Sequence, residues 1–171
     1  MAEADTSLMT QPDWHPTVAD KDKRPITIEI PARPAGLWTK VADYIPSKRK
    51  LKIQVVDPSP LWTYDPDKAS CPPDGAPAAA ITGQLVPWVL AGCLIGKVGG
   101  SASDITSPPA AVAAGGPTIA GPQLFVFAVG GFCIVQVPDT VSGALFLTMN
   151  DAPANFAKHA GSLHVQVFDA V

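Results

Sequence analysis

The chain contains few charged residues, and this excludes several classes of protein. Asp, Glu, Lys and Arg make up 16% of its 171 residues, and the formal net charge is −3. Soluble proteins usually carry about a quarter of charged residues. A sparse and slightly negative charge gives no general attraction to a polyanion, so nucleic-acid binding is not expected. Proline is abundant, but 47% of the chain is hydrophobic, which argues against a disordered polymer.

Cysteine is also scarce, and its spacing suits neither disulfides nor zinc. Cys71, Cys93 and Cys133 are far apart and form no CxxC pair. We therefore predict small buried or half-buried thiols in a reducing compartment. Residues 1–16 contain no apolar stretch of the kind found in secretory signals. The expected location is the cytoplasm, where the protein is either free or bound peripherally to a membrane complex.

Sustained helical periodicity is absent, although two long stretches carry no charge. Residues 75–96 and 105–138 are each long enough for a membrane span. Prolines and glycines interrupt both stretches, and such breaks would disrupt a helix that crosses a bilayer. We therefore predict short buried strands joined by turns, and no membrane span.

Alternation of apolar and polar residues is the pattern that is present. It predicts strands in eight segments: 26–32, 37–45, 50–56, 92–100, 124–129, 133–137, 143–151 and 161–169. Many short strands with turn residues between them are typical of a β-sandwich. The predicted fold is all-β, a jelly-roll-like β-sandwich over residues 26–171, preceded by an irregular N-terminal arm over residues 1–25.

Several residues are candidates for contact with another protein. Trp14 lies in the polar arm, where a solvated tryptophan has little use, so we expect the arm to dock on its own domain or on a partner. Residues 81–92 include Leu85, Trp88 and Leu90 around one proline. Apolar residues in succession would face both sides of a strand, which indicates an apolar contact surface. The alternative is a loop that tucks over an open edge of the sandwich.

A basic turn gives a further candidate contact. Lys48, Arg49 and Lys50 lie together before a predicted strand. They form either a solvated turn or a patch for an acidic partner or an anionic membrane surface.

The loop between the last two predicted strands is unusually polar. It contains Asn150, Asp151, Asn155, Lys158 and His159. One interpretation is a ligand-binding loop. Another is purely structural: Asp151 caps a turn, Asn155 adopts a left-handed conformation, and Lys158 and His159 are solvated. A third has Lys158 pairing with Asp151 in place of a cation.

The order of several motifs resembles a known lectin family. The motifs are Trp38-Thr39, an alternating strand at 51–55, Trp62 and Tyr64 in a loop, Pro73-Asp74-Gly75, "LIGKVG" at 94–99 and "GALFLTMND…GSLHVQV" at the end. Together, over about residues 26–169, they are similar to the calcium-dependent galactose lectins of the LecA (PA-I-like) type. The resemblance implies a small, non-enzymatic jelly-roll sandwich that holds calcium in its closing loop.

The resemblance also assigns ligand positions, and the chain departs from them. Asp151 matches the carboxylate ligand, and Asn155 and Tyr64 match positions that bind calcium through a backbone carbonyl. The two remaining side-chain ligands fall on Lys158 and His159. An ammonium group has no lone pair, and an imidazole nitrogen is a poor ligand for a hard cation. We therefore expect no cofactor, with Ca²⁺ as the alternative.

These observations lead to an expected function. No nucleophile lies beside a base in any recognisable motif, so an enzyme is not predicted. The expectation is a lectin-like structural or accessory subunit that binds a protein partner in a larger assembly. The alternative is a galactoside-type carbohydrate-binding lectin with altered or lost calcium dependence.

Overall fold

The computed structural model describes residues 12–77, 83–103 and 124–171. These residues form nine strands and one short 3₁₀ helix, Pro153–Lys158. The strands are β1 His15–Pro16, β2 Ile28–Pro31, β3 Thr39–Ile45, β4 Lys50–Val55, β5 Leu94–Val98, β6 Phe125–Ala128, β7 Phe132–Gln136, β8 Gly143–Met149 and β9 Ser162–Ala170. Each of the eight predicted segments overlaps one of the strands β2 to β9, and the bounds differ by only a few residues.

The strands form two antiparallel sheets that pack together. One sheet has the order β2-β9-β4-β7, with β1 also pairing along β9, and the other has the order β3-β8-β5-β6. The pairs β2/β9, β3/β8, β4/β7 and β5/β6 are nested one inside the next. A nested set of antiparallel pairs rolled into two sheets is a jelly roll. The predicted all-β sandwich is confirmed.

Alternation along the strands builds the core between the sheets. On β4, Leu51 and Ile53 are fully buried, whereas Lys52 between them is partly exposed. On the adjacent β9, Val165 and Val167 are buried in the same way. Burying one such side chain stabilises the fold by about 1.5–3 kcal/mol. The predicted inward direction of Leu51 and Ile53 is therefore confirmed.

A second apolar cluster covers the outer face of the β3-β8-β5-β6 sheet. This outer cluster contains Trp38, Leu85, Val86, Ile95, Phe146 and Phe156. Ile95 and Phe146 come from strands of the sheet, and Leu85 and Val86 come from the loop that precedes β5. The loop keeps water away from a face that a two-layer sandwich would otherwise leave exposed.

The interpretation of residues 81–92 as a strand with two apolar faces is wrong. Residues 83–92, the part of this segment that the structure describes, form turns and no strand. The loop folds back on its own domain, as the alternative predicted, but it covers a face of a sheet rather than an edge. Leu85 is only 2% exposed, so its side chain is unavailable to a partner.

Strands form in part of each uncharged stretch that the structure describes. β5 begins at Leu94, and β6 and β7 lie within residues 124–138. Among the described residues, no helix has the length and apolar character needed to cross a membrane. The low-charge segments at 78–82 and 104–123 lie outside the described residues.

The described part of the N-terminal arm docks on the first sheet. His15 and Pro16 of β1 pair with β9, and the hydroxyl of Thr17 donates to Asp169 Oδ1 at 3.0 Å. The ring of Trp14 lies 5.1 Å from Lys52 Nζ. Trp14 therefore contacts its own domain, which was one of the two predicted arrangements. Residues 1–11 of the arm lie outside the described residues.

Candidate functional site

The loop between β8 and β9 begins with a buried asparagine that organises a neighbouring loop. Asn150 Oδ1 accepts a hydrogen bond from the Val86 N–H at 2.9 Å. Its Nδ2 donates to the carbonyls of Val86 and Val89 at 3.0 and 2.8 Å. The Gln84 amide donates to the Val89 carbonyl as well, at 2.8 Å. Two side-chain amides therefore replace the strand partners that the backbone of residues 84–90 lacks.

Asp151 is buried, and both of its carboxylate oxygens already accept hydrogen bonds. Oδ1 accepts from the Ala152 N–H at 2.6 Å and from Asn155 Nδ2 at 3.0 Å. Oδ2 lies 2.9 Å from His159 Nε2. Burial acts to raise the pKa of the Asp151 carboxyl, but these hydrogen bonds together hold its pKa below the ordinary value. The group is therefore a carboxylate.

His159 is the buried partner of Asp151. Its Nδ1 lies 2.9 Å from the carbonyl oxygen of Ala32, which can only accept, so Nδ1 is the donor in this contact. Its Nε2 lies 2.9 Å from Asp151 Oδ2 on the other side of the ring. A buried His–Asp pair thus joins the β8–β9 loop to Ala32, which directly follows β2. Phe156 packs against the ring at 4.7 Å.

Three structural details predicted for this loop are wrong. His159 is 5% exposed and not solvated, because the fold brings Ala32 and Asp151 to its two nitrogens. Asp151 pairs with His159 and not with Lys158, whose side chain is exposed. Asn155 lies in the 3₁₀ helix, and the only non-glycine residues with positive φ in the described ranges are Lys23 and Lys48. Asp151 Oδ1 accepts a hydrogen bond from the adjacent Ala152 N–H, whereas the 3₁₀ helix that follows has no side-chain cap.

A cleft of about 170 Å³ lies beside this pair. Its lining comes from the loop after β4 and from the β8–β9 loop: Tyr64, Asp65, Lys68, Asp151, Asn155 and Lys158. The structure thus brings together four of the residues proposed from the sequence. His159 does not line the cleft and lies behind Asp151. Asp65 and Lys68 were missed, and their only signal was their closeness to Tyr64 in a long polar loop.

The charges around the cleft are only partly matched. Asp65 accepts from the Asp67 N–H through Oδ1 at 3.1 Å, and its Oδ2 lies 4.0 Å from Lys68 Nζ. Lys68 also lies over the ring of Tyr64, 5.7 Å from its centroid. Lys158 makes no ion pair with any residue that the structure describes.

The donor set does not suit calcium. Ca²⁺ takes roughly six to eight oxygen ligands. Asp151, the one carboxylate of the matched ligand positions, already has hydrogen-bond partners at both oxygens, and the His159 ring stands where a cation would have to approach Oδ2. Within the described residues, no group of three or more His, Cys, Asp or Glu side chains is placed to hold a metal ion.

The residues proposed for partner contact lie on different surfaces. Trp88 and Leu90 are 68% and 51% exposed, and they belong to the loop held by Asn150 and Gln84. In the basic turn Lys48 is exposed, whereas Arg49 and Lys50 are half-buried. Arg49 lies 3.5 Å from Asp169, so part of this charge is used within the chain.

One exposed apolar pair was missed by the sequence reasoning. Phe132 and Ile134 on β7 are 58% and 55% exposed, whereas Cys133 and Val135 between and after them face the core. The alternation of the segment "FCIVQ" contained this signal, because one face of an outer strand must point to solvent. These two residues form an exposed apolar surface of their own on β7.

The chain matches no model of a known protein family, and no curated protein matches it. The likeness to calcium-dependent galactose lectins therefore remains a prediction that rests on the motifs of the sequence.

Proposed function

We propose that the protein is a non-enzymatic, lectin-like β-sandwich that acts as a structural or accessory subunit and binds another protein. The observation that carries this proposal is the exposure of Trp88 and Leu90 on a loop with a fixed backbone. A partner that covers this surface would gain the burial of a tryptophan, the kind of residue that dominates interface energetics.

The construction of the loop favours binding because it reduces the cost of association. The carbonyls of residues 86–90 are held by the amides of Gln84 and Asn150, and Leu85 and Val86 anchor the loop in the outer cluster. A segment that is already ordered loses little conformational entropy when it docks. An exposed tryptophan on such a segment is better suited to recognition than one on an unanchored loop.

The cysteines favour a binding role over a catalytic one. Burial raises the pKa of the Cys93 and Cys133 thiols to about 11, and it raises the pKa of Cys71 as well. A thiol must lose its proton to act as a nucleophile, so these three are poor nucleophiles near neutral pH. Free, buried thiols also support a reducing, cytoplasmic location, with the protein either free or peripheral on a membrane complex.

Co-purification from native extract tests the proposal. The full chain is expected to elute as part of a larger complex, and Trp88→Ala with Leu90→Ala is expected to release it without lowering its thermal stability. Leu61→Ala is a matched control, because Leu61 is a similarly exposed apolar residue on another loop. Retention of the double variant in the complex, or elution of the native protein as a free monomer, would reject the proposed contact surface.

A carbohydrate-binding role is the second candidate, and the cleft beside Tyr64 favours it. The cleft combines an aromatic ring with amide, carboxylate and ammonium groups, which is chemistry that can recognise a sugar. Calorimetry with galactosides, in the presence and absence of Ca²⁺, separates the two candidates. A saturable heat that needs no calcium would support an altered lectin, and no heat in either condition would leave protein binding as the function.

A further inference from the structure

We infer that the cleft between the loop after β4 and the β8–β9 loop binds a small ligand that carries an oxyanion: a carboxylate, sulfate or phosphate group. The ligand would be held chiefly by the ammonium groups of Lys158 and Lys68. This site does not depend on the protein-binding surface proposed above, because Trp88 and Leu90 do not line the cleft.

The carboxylates of the cleft already have donors. Asp151 receives hydrogen bonds from Ala152, Asn155 and His159. Asp65 receives one from the backbone of Asp67 and lies within ion-pair distance of Lys68. An incoming cation would have to compete with these donors for both carboxylates. Neither group is therefore left to attract a cationic ligand.

The groups that remain unmatched are donors. Lys158 lies in the last turn of the 3₁₀ helix with its side chain exposed and without an acceptor among the described residues. Lys68 has its nearest acidic oxygen 4.0 Å away, which leaves N–H groups to donate. Donors that converge on one cleft select an acceptor, and charged donors select an anion.

The positions of the partners leave a positive charge free at the cleft. Lys68 and Lys158 bring two ammonium groups to its lining, and Asp65 and Asp151 bring two carboxylates. His159 bonds Asp151 from inside the domain, so this carboxylate is occupied away from Lys158. Lys158 therefore keeps its charge unpaired among the described residues, although the whole chain is negative.

The volume limits the size of the ligand. About 170 Å³ holds five to six water-sized groups, taking roughly 30 Å³ for each. This is room for an oxyanion with a few attached carbon atoms, or for part of one acidic sugar unit. An extended polyanion would have to lie outside the cleft and could not bring most of its charges to these two lysines.

Nuclear magnetic resonance of the full chain tests the inference. Glucuronate, inorganic phosphate and sulfate are titrated separately at constant ionic strength, with neutral glucose as the control ligand. At least one anion is expected to shift the amide signals of residues 64–68 and 151–158 in a saturable way, and glucose is not. The anion that binds most tightly identifies the kind of oxyanion.

Matched lysine variants make the test specific. Lys158→Gln and Lys68→Gln should each lower the affinity for the anion by about tenfold, because each loses one hydrogen bond from a charged group. Lys158→Arg should retain most of the affinity. Lys21→Gln, in the exposed arm, should change nothing. The three lysine side chains changed in these four variants are exposed, so thermal unfolding should confirm that each variant folds.

Three results would overturn the inference. No saturable shift with any of the three anions would show that the cleft is not an anion site. Equal effects of Lys158→Gln and Lys21→Gln would show that the anion only senses the general charge of the surface. Binding of glucose as tightly as glucuronate would show that the oxyanion makes no contribution.

Discussion

At the scale of single residues, His159 is the buried partner of Asp151. Its ring bridges the Asp151 carboxylate and the carbonyl of Ala32 just after β2, and it thereby fixes one end of the β8–β9 loop. The sequence predicted that Asp151, Asn155, Lys158 and Tyr64 belong to one site, and the structure places them around one cleft. The direction of His159 was not predictable, because Ala32 lies 127 positions away along the chain.

We expect His159→Ala to destabilise the protein by about 3 kcal/mol, because it leaves the buried Asp151 carboxylate without its partner. Lys158→Ala is the matched control and should change the free energy of unfolding by less than about 0.5 kcal/mol, since its side chain is exposed. Urea unfolding measures both values. Similar losses in the two variants would contradict the assignment of His159 as the structural partner.

The depressed pKa of Asp151 predicts how stability changes in acid. A carboxyl whose pKa is lower in the folded state than the ordinary value of 3.8 stabilises the fold above that value. This contribution is lost as the pH falls through the folded-state pKa. Asp151→Asn removes the titrating group, so its free energy of unfolding should fall less between about pH 5 and pH 2 than that of the native protein. Parallel curves for the two proteins would show that Asp151 is not linked to folding.

At the scale of elements, alternation was a reliable signal for strands and a poor one for loops. All eight segments chosen for their alternation contain strands, because one face of each strand packs in the core. Residues 83–92 are apolar without alternation, and they form a loop whose shape depends on the amides of Gln84 and Asn150. Asn150 is distant in sequence, so no local pattern shows this dependence. The 3₁₀ helix Pro153–Lys158 was not predicted either.

We expect Asn150→Ala to destabilise the loop of residues 83–92. The change leaves the buried Val86 N–H without its partner and removes one of the two amide donors to each of the Val86 and Val89 carbonyls, at a cost of about 1–3 kcal/mol. Gln166→Ala on the outer face of β9 is the control and should cost less than about 1 kcal/mol. Urea unfolding gives both values, and equal costs would mean that water replaces the Asn150 amide.

At the scale of the whole molecule, two sheets pack on each other and the described part of the arm docks on one of them. The sequence predicted a jelly-roll-like sandwich but not its strand order, since alternation identifies strands but does not say which strands pair. The structure shows the nested pairs β2/β9, β3/β8, β4/β7 and β5/β6. It adds β1, which pairs with β9 and anchors residues 12–25. This short strand has no apolar alternation and was not predictable from its two residues.

Deletion of residues 2–24 tests what the arm contributes. The shortened chain should still fold, because the core lies between strands β2 to β9. Its free energy of unfolding should fall by about 2 kcal/mol, because the deletion removes the contact of Trp14 with Lys52 and the hydrogen bond from Thr17 to Asp169. Trp14→Ala alone should reproduce much of this loss in thermal unfolding. An unchanged melting temperature would show that the arm does not contribute to stability, and an unchanged elution with the native complex would show that it is not needed for the partner.

The position of β9 has a consequence for synthesis on the ribosome. β9 is the last of the nine strands to be translated, yet it lies inside its sheet with β4 on one side and β1 and β2 on the other. The nascent chain therefore cannot complete this sheet until β9 has left the exit tunnel. Until then the backbone edges of β2 and β4 that pair with β9 have no partner, and the many non-local pairings slow folding. We expect a chain with such unpaired edges to be prone to aggregation while it is being translated.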